Sequence, residues 1–124
     1  MNVHTCGIIE DEDLAQQLLI KYINRYAGLE IAWSSETVVN PKSVAQVDIV
    51  FLDLLDNSSN ALGLMSGGVK EFALHFPNII ITTAYPVEYV KSVGIRHTQV
   101  LIKPYTYLAF ERAVTATLSR CKIA

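Results

Sequence analysis

Glu10 and Asp11, Asp53, Thr83 and Lys103 lie far apart in the sequence. Each closes a short apolar or β-branched run: Cys6-Gly7-Ile8-Ile9, Ile49-Val50-Phe51-Leu52, Ile79-Ile80-Ile81-Thr82 and Val100-Leu101-Ile102. If these runs are strands of one parallel sheet, the five groups arrive together at its carboxyl edge, where open α/β sheets bind ligands. Three carboxylates brought that close repel one another, and one must take up a proton unless a cation joins them. A divalent ion is the economical partner, and oxygen-only ligands on a small open site point to magnesium. Lysine and threonine extend a metal site to a phosphoryl site. The ammonium balances a phosphate's charge, the hydroxyl donates to one of its oxygens, and Asp53 is placed as a carboxylate nucleophile of the aspartyl-phosphate kind. Taken singly, each residue has a plainer reading: Glu10 to Asp13 as an acidic helix start, Thr83 as a strand former, Lys103 as a solvated charge. Their arrival together at separate strand ends is what argues for chemistry.

The elements that must position these residues can be read in order. The first run leads through the acids to Leu14, Leu18, Tyr22 and Tyr26, spaced as one core-facing stripe of a helix, with Gly28 as its stop. Leu29 to Trp33 reads as a second strand, with Trp33 in the core. Asn40-Pro41 can cap and start a helix, but so few residues follow before Asp48 that the second helix should be short or displaced. Asp48 to Asp53 is the third strand, buried on both faces, and Asp56 to Asn60 is a polar loop. Ala61 to Phe76 is helical in its second half, with Val69, Phe72 and Phe76 on one face and the pair Gly67-Gly68 weakening its start. Ile79 to Thr83 is a fourth strand, Pro86 opens a helix through Ser92, and Val100 to Ile102 is a fifth strand. From Thr106 a last helix carries Tyr107, Phe110, Val114, Leu118 and Cys121 along one stripe. Strands alternating with helices imply an α/β fold: a doubly wound, five-stranded parallel sheet, a flavodoxin-like three-layer sandwich of strand order 2-1-3-4-5.

At 124 residues, residues 1–124 form one domain. The net charge of −2 and a pI near 5.9 give no basic field for direct nucleic acid binding. No apolar run reaches the ~18 residues of a membrane span. The N-terminus lacks the charged region and long apolar core of a signal peptide, so a soluble, cytoplasmic protein is expected. Cys6 and Cys121 match neither a disulfide framework nor a zinc motif and read as free thiols. His4, His75 and His97 fall away from the strand-end set and receive no catalytic role.

The pattern Ile8-Ile9-Glu10-Asp11-Glu12, Val50-Phe51-Leu52-Asp53, Ile81-Thr82-Thr83-Ala84-Tyr85 and Leu101-Ile102-Lys103-Pro104 resembles the receiver domain of two-component response regulators across nearly the whole chain. The segment Thr82 to Tyr85, with Glu88-Tyr89 after it, looks most like receivers that precede a LytTR-type DNA-binding domain. The resemblance implies a phosphoacceptor signalling switch in a phosphorelay, a regulatory domain rather than a turnover enzyme, with self-catalysed phosphotransfer and slow autodephosphorylation. Asp53 would accept phosphate from a sensor histidine kinase or a small phosphodonor. Asp11 and Asp53 would bind Mg2+ directly, with the backbone carbonyl of Leu55 as a third ligand and Glu10 acting through water. Thr83 would be the switch hydroxyl, Lys103 would bridge Asp53 and the phosphoryl oxygens, and Lys103-Pro104 would be cis. The partners implied are the kinase, a downstream effector domain or protein, and a second copy in a homodimer.

The chain departs from that family in three places. Asp56-Asn57 replaces the usual apolar residue and proline beyond the acceptor, the second helix is short, and Val100 stands where the family carries an aromatic switch. These departures motivate an alternative, a phosphorylation-independent pseudo-receiver acting as a protein-interaction module. A haloacid-dehalogenase-type phosphatase would need a second aspartate two residues after its nucleophile, where this chain has Leu55. A flavodoxin would need a hydroxyl-rich phosphate loop where Glu10 to Asp13 stand, and those acids would repel the phosphate.

Overall fold

The computed structural model describes residues 3–54 and 68–123, with side chains described as far as Ser119. Its strands are β1 (His4–Ile9), β2 (Leu29–Ser35), β3 (Ile49–Asp53), β4 (Ile79–Thr83) and β5 (Gln99–Ile102). All pair in parallel, as the alternation of apolar runs and helical stripes implies, and their order is β2-β1-β3-β4-β5, as expected. The helices are α1 (Asp13–Arg25), α2 (Val69–Leu74), α3 (Val87–Val93) and α4 (Tyr107–Ile123). Central strands β3 and β4 are buried at every position, so each contributes to a core on both faces of the sheet.

One core, under α1 and α4, joins Ile8, Leu19, Ile23, Phe51, Ile80, Phe110 and Val114. Tyr22, Tyr26, Tyr107 and Phe110 pack ring against ring between the two helices, and the Arg25 guanidinium lies 4.0 Å over the Tyr107 ring. The opposite core joins Val50, Leu52, Phe72, Phe76, Ile81 and Val90. Here only a single 3-10 turn, Pro41–Ser43, stands between β2 and β3, started by Asn40 accepting the Lys42 N–H at 3.0 Å. Trp33 covers the space a longer helix would fill. Its indole packs on Phe72 and Phe76, donates to the Ala45 carbonyl at 2.9 Å and lies directly over Gly7, where any Cβ would collide with the ring. Gly28 (φ 89°) follows α1 and Gly94 (φ 76°) caps α3, left-handed positions that favour glycine.

Several expectations needed correction. Leu14 is not on the core stripe; it is 73% exposed. It lies five positions before buried Leu19, about 140° round the helix at 3.6 residues per turn. Strand β2 runs two residues past Trp33, because backbone pairing with β1 continues to Ser35. The third strand begins at Ile49 rather than Asp48, whose side chain instead serves the neighbouring strand. The first half of the helix expected from Ala61, together with Leu55, Asp56 and the polar loop, lies outside the described residues. Cys6 is a free, buried thiol, and burial pushes its pKa up to about 12; the side chain of Cys121 is outside the described set. Among the described residues no helix is long and apolar enough to cross a membrane.

Candidate functional site

Backbone hydrogen bonds that run on past the strand ends set the site. The Glu10 N–H donates to the Ser35 carbonyl at 3.0 Å, the Leu54 N–H to Thr82 at 3.1 Å, and the Lys103 N–H to Thr83 at 2.7 Å. Each continues the sheet one residue beyond its regular pairing, so Glu10 and Lys103 are held as strand residues are, and Asp53 is fixed between paired neighbours. The Lys103-Pro104 peptide is cis. Together these ends line a cleft of about 380 Å³ bounded by Asp11, Glu12, Asp53, Leu54, Ala84, Tyr85 and Lys103.

Glu10, Asp11 and Asp53 come together as the sequence suggests, each with a carboxylate oxygen within 4.8 Å of the others. Glu10 and Asp53 are buried and Asp11 is exposed. Such a set of hard oxygens at a cleft mouth suits a small divalent cation that keeps part of its water shell. The Lys103 ammonium reaches both buried acids, 2.9 Å from Glu10 and 3.1 Å from Asp53. Glu10 also accepts the Glu12 N–H at 3.2 Å, which folds the acidic turn back over its own carboxylate.

One ammonium cannot neutralise this much negative charge. Burial, and then the adjoining Glu10 carboxyl, push Asp53 up to about 7, with Lys103 pulling the other way. Burial works against a charged Lys103 as well, but Asp53 and Glu10 outweigh it and hold the amine above its ordinary value. With Asp53 ionised, the cluster is therefore short of positive charge.

Thr83 is fully buried at the end of β4, and its hydroxyl accepts the Tyr85 N–H at 3.0 Å. Tyr85 is a cleft residue that sequence reasoning passed over, although it stands two positions after a strand-end threonine, within reach of a hydroxyl–amide turn. Tyr105, partly buried two residues after Lys103, was also missed; desolvation first, then the charge of Glu10, raises its pKa. His4 lies at the other end of the sheet, 3.4 Å from Asp48, and His75 and His97 are likewise away from the cleft lining. Leu55 belongs to the residues not described, so its carbonyl is not located.

Comparison with known proteins points in one direction. No model of a known protein family matches the chain. Protein MrkE of Klebsiella pneumoniae is 33% identical over 101 residues, 79% of this chain and 37% of MrkE. The transcriptional regulatory protein LytR of Staphylococcus aureus (strain N315) is 32% identical over 112 residues, 86% of this chain and 44% of LytR. The chain thus spans less than half the length of these curated relatives. Among solved structures, the response regulatory domain of MrkE superposes with a TM-score of 0.66 at 25% identity, covering 97% of this chain and 99% of that domain.

Proposed function

The chain belongs with the receiver domains of two-component response regulators, and from that premise we propose that residues 1–124 form one receiver domain in which Asp53 is the phosphoacceptor. The observation that carries the proposal is the cluster at the sheet edge: Asp53 crowded by Glu10 and Asp11, with Lys103 bonded to it, opening on a cleft that a phosphodonor can enter. An Asp53 carboxylate oxygen attacks phosphorus in line. The bond from phosphorus to a histidine nitrogen of a sensor kinase, or to the acyl oxygen of a small phosphodonor, breaks, and the imidazole or carboxylate leaves with the electron pair.

Asp11, Asp53 and the Leu55 carbonyl would hold Mg2+, with Glu10 acting through a water. When bound, the ion supplies the charge the cluster lacks, keeping Asp53 ionised and screening the incoming phosphoryl oxygens. Lys103 is already at Asp53 and can pass from Glu10 to a phosphoryl oxygen with little movement. The Thr83 hydroxyl, which accepts the Tyr85 N–H, is free to donate its own proton to another such oxygen. The acyl phosphate then hydrolyses slowly, since no second carboxylate follows two residues after Asp53 to act as general acid. The domain therefore works as a switch rather than a turnover enzyme.

We place it in the cytoplasm, facing a sensor kinase on one side and an effector domain, effector protein or second copy on the other. The name of the LytR relative supports a transcriptional output of the LytTR-associated kind, delivered by an effector rather than by this acidic domain itself. The test is intact mass after incubation with acetyl phosphate, with and without Mg2+, for the wild type and Asp53→Asn. One added phosphoryl group, dependent on Mg2+ and absent from Asp53→Asn, is the expected result. A folded protein that gains no phosphoryl group from acetyl phosphate or from histidine kinases would instead be the pseudo-receiver, a reading that Val100 and the Asp56-Asn57 sequence after the acceptor favour.

A further inference from the structure

We propose that the ring pair Tyr85–Tyr89 is the output lever of this domain, coupled to the site through the hydrogen bond from the Tyr85 amide to the Thr83 hydroxyl. The inference rests on the reading of Thr83 as the hydroxyl that meets the phosphoryl group, and deepens it by naming what moves next.

Three contacts run in series. The Thr83 oxygen, buried at the end of β4, accepts the Tyr85 N–H at 3.0 Å. The Tyr85 ring lies 4.4 Å from that of Tyr89, centroid to centroid and inclined by 36°. Tyr89, on the first turn of α3, packs against the core that includes Leu52, Ile81 and Val90. The Tyr89 N–H donates to the Pro86 carbonyl at 3.0 Å, which ties that turn to the loop leaving Thr83. A phosphoryl group on Asp53 draws the Thr83 oxygen toward it. That displacement either carries the Tyr85 amide along or breaks the bond to it, and both outcomes shift the Tyr85 ring against Tyr89.

The neighbouring strand offers no comparable mover. Val100 is a short β-branched residue with restricted rotamers, half-buried against the same core. A tyrosine ring pivots over a much larger arc, so a small movement at Thr83 is enlarged at the surface by the pair and not by β5. Tyr89 is partly buried against that core, so its displacement alters the apolar surface along α3.

The test uses the full chain labelled with 3-fluorotyrosine, whose six tyrosines give six fluorine resonances, with those of Tyr85 and Tyr89 assigned by single replacement with phenylalanine. In the unphosphorylated protein, Thr83→Val removes the acceptor, and Thr83→Ala does so if the valine variant fails to fold. Either should move the Tyr85 and Tyr89 resonances by more than a linewidth and leave Tyr26, bonded to Thr115 between α1 and α4, in place. Thr83→Ser, which keeps the hydroxyl, should match the wild type. In wild-type protein shown by mass to carry one phosphoryl group, both resonances should move as well. A folded Thr83→Val or Thr83→Ala protein with Tyr89 unmoved overturns the lever, and so does a phosphorylated wild type with Tyr89 unmoved. Failure to gain phosphate sinks the reading of Asp53 instead, and the unphosphorylated variants still decide the lever.

Discussion

One aspartate immediately precedes strand β3 and another ends it, and the two have opposite fates. Asp48, at the amino edge, is 45% exposed at its side chain, accepts the Thr5 N–H at 3.0 Å and faces His4 at 3.4 Å. Around it the backbone is also satisfied: its N–H donates to Thr5, and its carbonyl accepts from the Asn78 side chain at 2.9 Å. Asp53, at the carboxyl edge, is 6% exposed at its side chain and shares one lysine with a second buried acid. Asp48 pins one strand to the next. Asp53 holds a charge that the fold by itself leaves poorly compensated, and that imbalance is what a cation and a phosphoryl donor can act on.

The contrast can be broken most sharply by chemistry. Asp53→Asn should lower phosphoryl incorporation from acetyl phosphate by at least about a hundredfold, the scale of losing a nucleophile outright. Asp48→Asn should incorporate as the wild type does, and intact mass reads both. Equal loss in the two variants would remove the distinction.

The next effect is that of the cation. Mg2+ at about a hundred times its dissociation constant should stabilise the folded wild type by about 2.7 kcal/mol. Asp11→Asn and Asp53→Asn should lose most of that gain and Asp48→Asn should keep it, as urea unfolding with and without EDTA will show. A gain undiminished in Asp53→Asn would move the cation elsewhere.

Proton linkage sharpens the comparison further. With the folded pKa of Asp53 raised from 3.8 to about 7, the folded protein holds a proton that the unfolded chain releases. Stability should therefore fall as pH rises from about 4 to 7 and stay low above that. Comparing wild type with Asp53→Asn in EDTA should isolate a change on the order of 2 kcal/mol over that window, after allowance for solvent screening. An identical pH profile for the two proteins would contradict the raised pKa. The smallest effect belongs to the other end: Asp48→Ala should cost about 1 kcal/mol, the scale of one backbone hydrogen bond at a partly exposed site, as urea unfolding will show.

Much of this was legible in the sequence because the strands are short, apolar and closed by a polar residue. Where Ile79 to Thr83 and Ile49 to Asp53 are buried at every position, the apolar run marks a central strand, and the alternation with helices pointed to a parallel, doubly wound sheet. Glu10, Asp11, Asp53 and Lys103 could be placed together because each lies at or within two residues of the carboxyl end of a strand, a position that topology fixes. Leu14 was misread because a stripe of apolar residues does not say which of them begins it; the register of α1 on the sheet, set by Leu19 and Ile23, decided that. Tyr85 escaped because its contribution runs through a backbone N–H, which every residue but proline carries and which no side-chain pattern announces.

The indole resting on Gly7 has an optical consequence. Trp33 is the chain's only tryptophan, and it reports from the flank of the sheet where one 3-10 turn replaces a helix, three residues down β1 from Glu10. Its fluorescence will follow loosening of the β1–β2 edge and of the packing on Phe72 and Phe76. A quenching signal upon loading of Asp53 would thus mean that the disturbance had crossed the sheet, a distance that emission from a tryptophan within the cleft could never have measured.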